Sequence, residues 1–209
     1  MKLCPSLCCI AVAGALLVAA LPQDAGKPAP RPAGEPGAQD APEMAMPDMS
    51  LMMPNEHHKK LAALAGTWTI NGKMVMPGAP PMEFSGQSEI KSVMGGRYLM
   101  EQIKGDPSPM GVFEGMGIAG YDNRTKKYQM VWFDNMGTAI MSYEGDDDPE
   151  TGHIVWHGDA PNMMTGAMEK SRSTGQKQAD GSWQMKEYRT PAGGSEALAM
   201  EMTYKPAGR

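Results

Sequence analysis

Apolar and polar side chains alternate with a two-residue period through most of the chain after Gly66. This period is typical of strands that bury one face, and turn-forming pairs such as Pro77-Gly78 and Asp180-Gly181 interrupt it at regular intervals. The pattern predicts about ten strands, near 68–76, 84–94, 97–104, 114–121, 127–134, 138–144, 152–158, 166–174, 182–189 and 197–205. Since no second helical pattern separates them, we predict an all-β fold, an antiparallel meander that closes into a β-barrel and so removes its edges.

One short helix is predicted before the strands, over 55–65. Asn55 can accept hydrogen bonds from the first free backbone N–H groups, and Gly66 follows as a stop. His57 and Leu61 lie on the same face of this helix, so we expect it to rest on an apolar surface.

The first twenty residues have the organisation of a secretory signal. Lys2 provides a positive charge, residues 10–20 provide an apolar core, and cleavage is predicted after Ala20. The core is shorter than the ~20 apolar residues that a membrane span needs, so we expect an exported protein, periplasmic or extracellular, without a membrane span in the mature chain. All three cysteines, at positions 4, 8 and 9, lie in this segment. The mature chain is therefore predicted to have no disulfide, thiolate nucleophile or cysteine metal site.

Residues 21–53 form a second zone, rich in Pro, Ala and Met. Seven of these residues are proline and none is aromatic, which is typical of an extended, disordered linker. All 13 aromatic residues lie between Trp68 and Tyr204. We therefore predict a signal peptide over 1–20, a linker over 21–53 and a folded domain over 54–209.

Composition limits the partners of this domain. A net charge of -5 and a pI of about 5.4 exclude a general nucleic-acid binder. With 41% apolar residues, the chain is not disordered throughout.

The alternation also predicts the lining of the barrel. Phe84 and Met94 share a face with small residues such as Gly86, and Leu198 shares a face with Met200. A wall of large and small side chains leaves a cavity unless residues opposite fill it, and both outcomes stay open. In a cavity we expect a small, largely apolar ligand, bound without catalysis and without a cofactor. The candidate ligand-binding residues are Trp68, Arg97, Tyr98, Met100, Tyr128, Met130, Trp132 and Met200.

Two other functions stay open. An enzyme at the open end of the barrel would combine a carboxylate, such as Glu101 or Glu144, with a tyrosine. The second alternative is copper handling, because thioethers beside an imidazole suit Cu(I). Its ligands would be Met44, Met46, Met49, Met52, Met53, His57 and His58.

Other polar motifs have ordinary interpretations. His153 and His157 are four residues apart, but on a strand they would stand ~13 Å apart and could not bind one ion. The acidic run over 146–150 predicts a hairpin turn at the surface.

Several short motifs, taken in order, resemble a known family. Leu64-Ala65-Gly66-Thr67-Trp68 resembles the opening of lipocalin-type barrels. The further motifs are Gly95-Gly96-Arg97-Tyr98-Leu99, Phe113-Glu114-Gly115, Gly120-Tyr121-Asp122-Asn123, Tyr128 with Trp132 and Asp134, and Ser142-Tyr143-Glu144-Gly145. Together they resemble the bacterial family DUF1579 over roughly 56–205. The resemblance implies a lipocalin-like β-barrel of unknown function, with no catalytic residues to transfer. Within it, Trp68 would plug the closed end, and Arg97 would cover an aromatic ring or neutralise a carboxylate.

Overall fold

The computed structural model describes Met46, residues 48–109 and residues 111–208. The predicted signal peptide and the predicted linker up to residue 45 lie outside the described residues. Met46–Arg209 belong to one compact unit. Within the described part, no helix is long and apolar enough to cross a membrane.

Ten strands form one closed antiparallel barrel, in which each strand pairs with the next along the chain and the last pairs with the first. They are β1 (Gly66–Met74), β2 (Met82–Val93), β3 (Tyr98–Gly105), β4 (Glu114–Asp122), β5 (Lys127–Asp134), β6 (Met141–Asp147), β7 (Ile154–Pro161), β8 (Met168–Lys177), β9 (Trp183–Thr190) and β10 (Ala197–Pro206). The predicted all-β meander and its closure are confirmed. Closure leaves no strand edge in this sheet unpaired, which removes the usual site of strand-to-strand aggregation.

Two residues predicted on the inner face are not there. A β-bulge between Leu198 and Met200 shifts the register, so that Leu198 pairs with Tyr188 and takes the opposite face from Met200. Met94 lies beyond the end of β2 in a turn, has a positive φ of 51° and is 73% exposed. The two glycines that follow it also have positive φ, as a tight turn requires.

A short helix, α1 (Glu56–Ala62), covers one end of the barrel. Asn55 caps it: its side chain accepts a hydrogen bond from His57 N at 3.0 Å, and its backbone N–H donates to His58 Nδ1 at 3.1 Å. The helix buries His58 and Leu61, and Leu61 packs in a core cluster with Leu99 and Tyr128. The predicted helix and its Asn55 cap are confirmed, but the helix ends at Ala62, before the predicted residue 65, and Gly66 begins β1 instead of ending the helix.

Large rings lie against the inner wall at places where the neighbouring strand has glycine. A Cβ placed on Gly175 would stand 2.3 Å from the Trp183 ring, and one on Gly117 would stand 2.9 Å from the Trp132 ring. The other glycine and ring pairs on this wall are Gly72 with Phe84, Gly145 with Trp156 and Gly158 with Tyr143. Each ring therefore occupies the space of a missing side chain, and glycine is required there for close packing rather than for an unusual φ.

The remaining interior is apolar, with a few paired polar groups. A second core cluster contains Ile70, Ile103, Met202 and Tyr204. Ser88 Oγ donates to Glu101 Oε1 at 2.7 Å, and burial raises the pKa of the Glu101 carboxyl. Among the described residues, every buried side-chain nitrogen or oxygen has a hydrogen-bond partner. The interior therefore has the properties of a satisfied core.

We predict that Gly175→Ala destabilises the protein by about 1–3 kcal/mol, because the added methyl group overlaps the Trp183 ring. Gly137→Ala is the matched control, since a Cβ there would have no neighbour within 4 Å. The free energies of unfolding should be compared by urea titration. Equal stability of the two variants would show that the indole does not lie across Gly175.

The stability should also depend on pH through His58. Burial lowers the pKa of His58, so the unfolded chain takes up a proton at higher pH than the folded chain. This contribution to stability is complete above the ordinary histidine pKa of about 6.5 and declines below it, by at most about 1.4 kcal/mol per pH unit. In His58→Gln, the amide oxygen can still accept the Asn55 N–H while the titration is absent.

We therefore expect the free energy of unfolding to fall less steeply between pH 7 and 5 in His58→Gln than in the wild type. Identical slopes in the two proteins would contradict the prediction.

Candidate functional site: a groove on the outer wall

A groove of about 920 Å³ lies on the outer wall of the barrel. It crosses β3 to β7 near the end that α1 covers. A smaller cavity of about 230 Å³ adjoins it at His157, beside Arg172 and Glu196. Both are open to solvent and are lined mainly by residues that face away from the interior.

The floor of the groove is apolar. Ile118 and Val131 are directly paired between β4 and β5, and both face outward. Tyr98 lies across Gly120, where a Cβ would stand 2.7 Å from its ring, so the phenol can lie flat on the sheet. Tyr98 and Ile118 are 44% and 39% exposed, which leaves apolar surface uncovered on this wall.

One wall of the groove is a segment that we call the N-terminal strap, residues 48–53. It contains a short 3-10 helix (Met49–Met52), and none of the side chains of this helix is buried. Two side chains hold its backbone carbonyl groups. Asn123 Nδ2 donates to the carbonyl oxygens of residues 50, 51 and 53 at 3.1, 3.4 and 2.9 Å, and Arg97 Nη2 donates to that of residue 52 at 3.0 Å. The strap is therefore attached by polar bonds rather than by a core of its own.

The opposite side of the groove is polar. Gln129, Glu144 and His157 are paired successively across β5, β6 and β7, and all three are exposed. Ser142 lies beside them on the same outward face of β6. The groove thus combines an apolar floor with a row of hydrogen-bonding groups, the usual composition of a small-molecule site.

The structure separates the eight candidate ligand-binding residues into two groups. The interior contains Trp68, Tyr128, Met130, Trp132 and Met200. The outer face carries Arg97, Tyr98 and Met100. Arg97 has neither of its predicted contacts, because its guanidinium donates to the carbonyl groups of Met52 and Met94 instead.

Trp68 lies in the wall near α1 and donates from Nε1 to the Leu64 carbonyl oxygen at 3.1 Å. Its ring meets that of Tyr204 edge-on, with centroids 6.5 Å apart. These contacts join the helix to the core, which agrees with its predicted structural role.

Among the candidate copper ligands, the described methionines are exposed and the two histidines have other contacts. Met44 lies outside the described residues, while Met46, Met49, Met52 and Met53 are exposed. His57 stacks on Tyr121 with ring centroids 4.0 Å apart, and His58 is buried as the cap partner of Asn55. No group of three or more His, Asp or Glu residues in the described part could hold a metal ion.

The acidic run serves α1 rather than forming only a surface turn, since β6 extends through Asp147. Asp147 pairs with Lys60 and His57 of the helix and accepts a hydrogen bond from the Tyr128 hydroxyl at 3.2 Å. Burial and the Asp147 charge raise the pKa of the Tyr128 phenol well above its ordinary value. These groups are used to hold the helix on the barrel.

The two carboxylates considered for catalysis lie in different places. Glu101 is enclosed in the core with Ser88, whereas Glu144 is exposed at the polar side of the groove. Sequence reasoning did not single out Ile118, Val131 or Asn123. The signal for the first two was present, because an apolar residue on the outward face breaks the alternation. Nothing in the sequence indicated that Asn123 would bind the strap.

We predict that Asn123→Ala releases the strap, because three carbonyl groups lose their donor. Cleavage by chymotrypsin after Leu51 should become about tenfold faster, which corresponds to the loss of about 1.4 kcal/mol. Asn71→Ala, an exposed position on β1, is the control and should be cleaved like the wild type. Unchanged cleavage of Asn123→Ala would contradict the attachment described above.

Comparison with known proteins places this fold in a family. A search of the curated proteins finds no match to the chain. The family model described as a protein of unknown function, DUF1579, matches residues 53–206, which include the last residue of the strap, α1 and all ten strands. The chain therefore belongs to the DUF1579 family.

Proposed function

We propose that this domain is a non-enzymatic binding module and that it takes a small, largely apolar molecule in the outer groove. The observation that carries the proposal is the apolar floor of a groove of about 920 Å³, in which Tyr98 and Ile118 are exposed and Val131 is half-buried. Small-molecule sites commonly enclose ~300–1,000 Å³ and combine apolar walls with a few polar groups. Gln129, Ser142 and Glu144 supply such polar groups.

The groove is better supported as the binding place than the interior expected from the sequence. Large rings lie over the glycines of the inner wall, and two apolar clusters occupy the space between. The groove and the smaller cavity beside it both lie on the outer face. A ligand would reach the groove without opening the core.

Export also belongs to this proposal. It is supported by Lys2, the apolar run over 10–20 and the small residues that end at Ala20. An exported binding module would meet its ligand outside the cytoplasm.

A charged side chain in the apolar floor of the groove should strongly weaken ligand binding. In Ile118→Glu, the ligand would lose apolar contact and would have to desolvate a carboxylate, so we expect affinity for the apolar fluorophore Nile red to fall at least tenfold. Ile140→Glu is the matched control, because Ile140 is 71% exposed and lies outside the groove. Fluorescence titration gives the affinities, and circular dichroism verifies that both variants fold.

Native mass spectrometry of the wild type adds a second measurement. We expect a co-purified small molecule that is absent from Ile118→Glu, on a polypeptide that begins at Leu21. Equal dye binding by the wild type, Ile118→Glu and Ile140→Glu would contradict the groove as the binding place.

A further inference from the structure

We propose that the ligand of the groove is a short extended peptide with free termini. Such a ligand is amphoteric: its anionic group would lie at the Arg97 end of the groove and its cationic group at the Glu144 end. This inference rests on the proposed function. It adds the charges and the length of the ligand to the apolar floor.

The Arg97 end of the groove carries an uncompensated positive charge. The guanidinium donates to the carbonyl oxygens of Met52 and Met94, at 3.0 and 3.3 Å, and both acceptors are neutral. Among the described residues, no carboxylate forms a salt bridge with it. A carboxylate of the ligand would supply the counter-charge, and charge-assisted hydrogen bonds of this kind are stronger than neutral ones.

The Glu144 end carries the opposite charge. Glu144 is exposed on β6, and no salt bridge to it exists within residues 48–109 and 111–208. Lys127 is close enough to be influenced by the Glu144 charge, but its ammonium donates to both carboxylate oxygens of Asp146, at 2.6 and 2.7 Å. The Glu144 carboxylate therefore remains available to an ammonium group of the ligand.

The spacing of the strands sets the length of the ligand. Tyr98, next to Arg97, and Glu144 lie in one row of paired residues across β3, β4, β5 and β6. Three inter-strand spacings of about 4.8 Å separate them, so the backbones of Tyr98 and Glu144 are ~14 Å apart. An extended chain of four residues spans ~13 Å, at about 3.3 Å per residue.

The middle of the groove favours apolar side chains on such a peptide. Gly120 and Gln129 lie between the two ends in this row, and the neighbouring outward-facing row contains Ile118 and Val131, which are paired. The closed sheet offers no edge strand, so a peptide cannot add to it by backbone pairing. Recognition would therefore rest on the two termini and on apolar contact, and it should be weakened by salt.

The test uses the synthetic tetrapeptide Ala-Val-Ile-Ala, with free termini or with its amino end acetylated or its carboxyl end amidated, titrated into the full chain by calorimetry. We expect each blocked peptide to bind the wild type at least tenfold more weakly than the free peptide. In Glu144→Gln, acetylation of the peptide should make no difference. The control Glu114→Gln removes an exposed carboxylate outside the groove and should keep the wild-type preference.

The possible outcomes separate this inference from the proposed function. If free and blocked peptides bind equally, or if no peptide binds while Ile118→Glu still abolishes Nile red binding, the charge inference is overturned and the groove remains a binding site. If neither probe responds to Ile118→Glu, both proposals fail. If the wild type is a dimer in solution and Ile118→Glu is a monomer, a second copy of the chain occupies the groove and the peptide is excluded.

Discussion

Closing ten strands into one barrel creates a packing constraint on which the rest of the structure depends. The inner wall must be filled by side chains that point toward one another, and a barrel of this size needs large ones. The chain meets the constraint by laying indole and phenol rings across glycines of the adjacent strand, as Trp132 lies over Gly117 and Trp183 over Gly175. Each ring fills the volume that a side chain would occupy at the glycine. The glycines of the wall and the rings that cover them therefore depend on each other. Large side chains thus form an apolar core in the interior, and the binding site that we propose lies on the outside of the barrel.

Hydrogen bonds and ion pairs, as well as apolar contacts, hold α1 over one end of the barrel. Leu61 adds apolar surface to the core, while His57, Lys60, Asp147 and the Tyr128 hydroxyl join α1 to β5 and β6. Titratable groups gathered in one place would ordinarily indicate a functional site. Here each of them has a partner across the junction between helix and barrel, so their arrangement is explained by attachment of the helix.

The outer groove has a different origin. Strands buried on one face normally carry polar residues on the other, but β4 and β5 carry Ile118 and Val131 outward. The strap forms one wall beside this surface, because Arg97 and Asn123 bind the carbonyl groups of the strap. An apolar strip without a wall would be an ordinary patch, whereas the wall turns it into a concave site. Function is thus proposed for a region where exposed apolar surface lies inside a groove.

Much of the fold was predictable from the chain alone, and the candidate site was not. The two-residue period predicted ten strands, the Asn55 cap predicted α1, and the ordered motifs indicated the family. These signals could be read from the chain because each is local and involves residues close together in sequence. Leu198 was assigned to the wrong face because a bulge depends on the partner strand, β9. Arg97 and Tyr98 do not form one site with Trp132 and Met200, because Arg97 lies in the turn before β3 and Tyr98 faces outward, whereas Trp132 and Met200 lie in the interior. The sequence by itself determined the strands, the helix and the closed topology. Only the tertiary structure decided that large rings pack over glycines of the inner wall and that the strap meets Asn123, because both depend on contacts between residues on different elements of the fold.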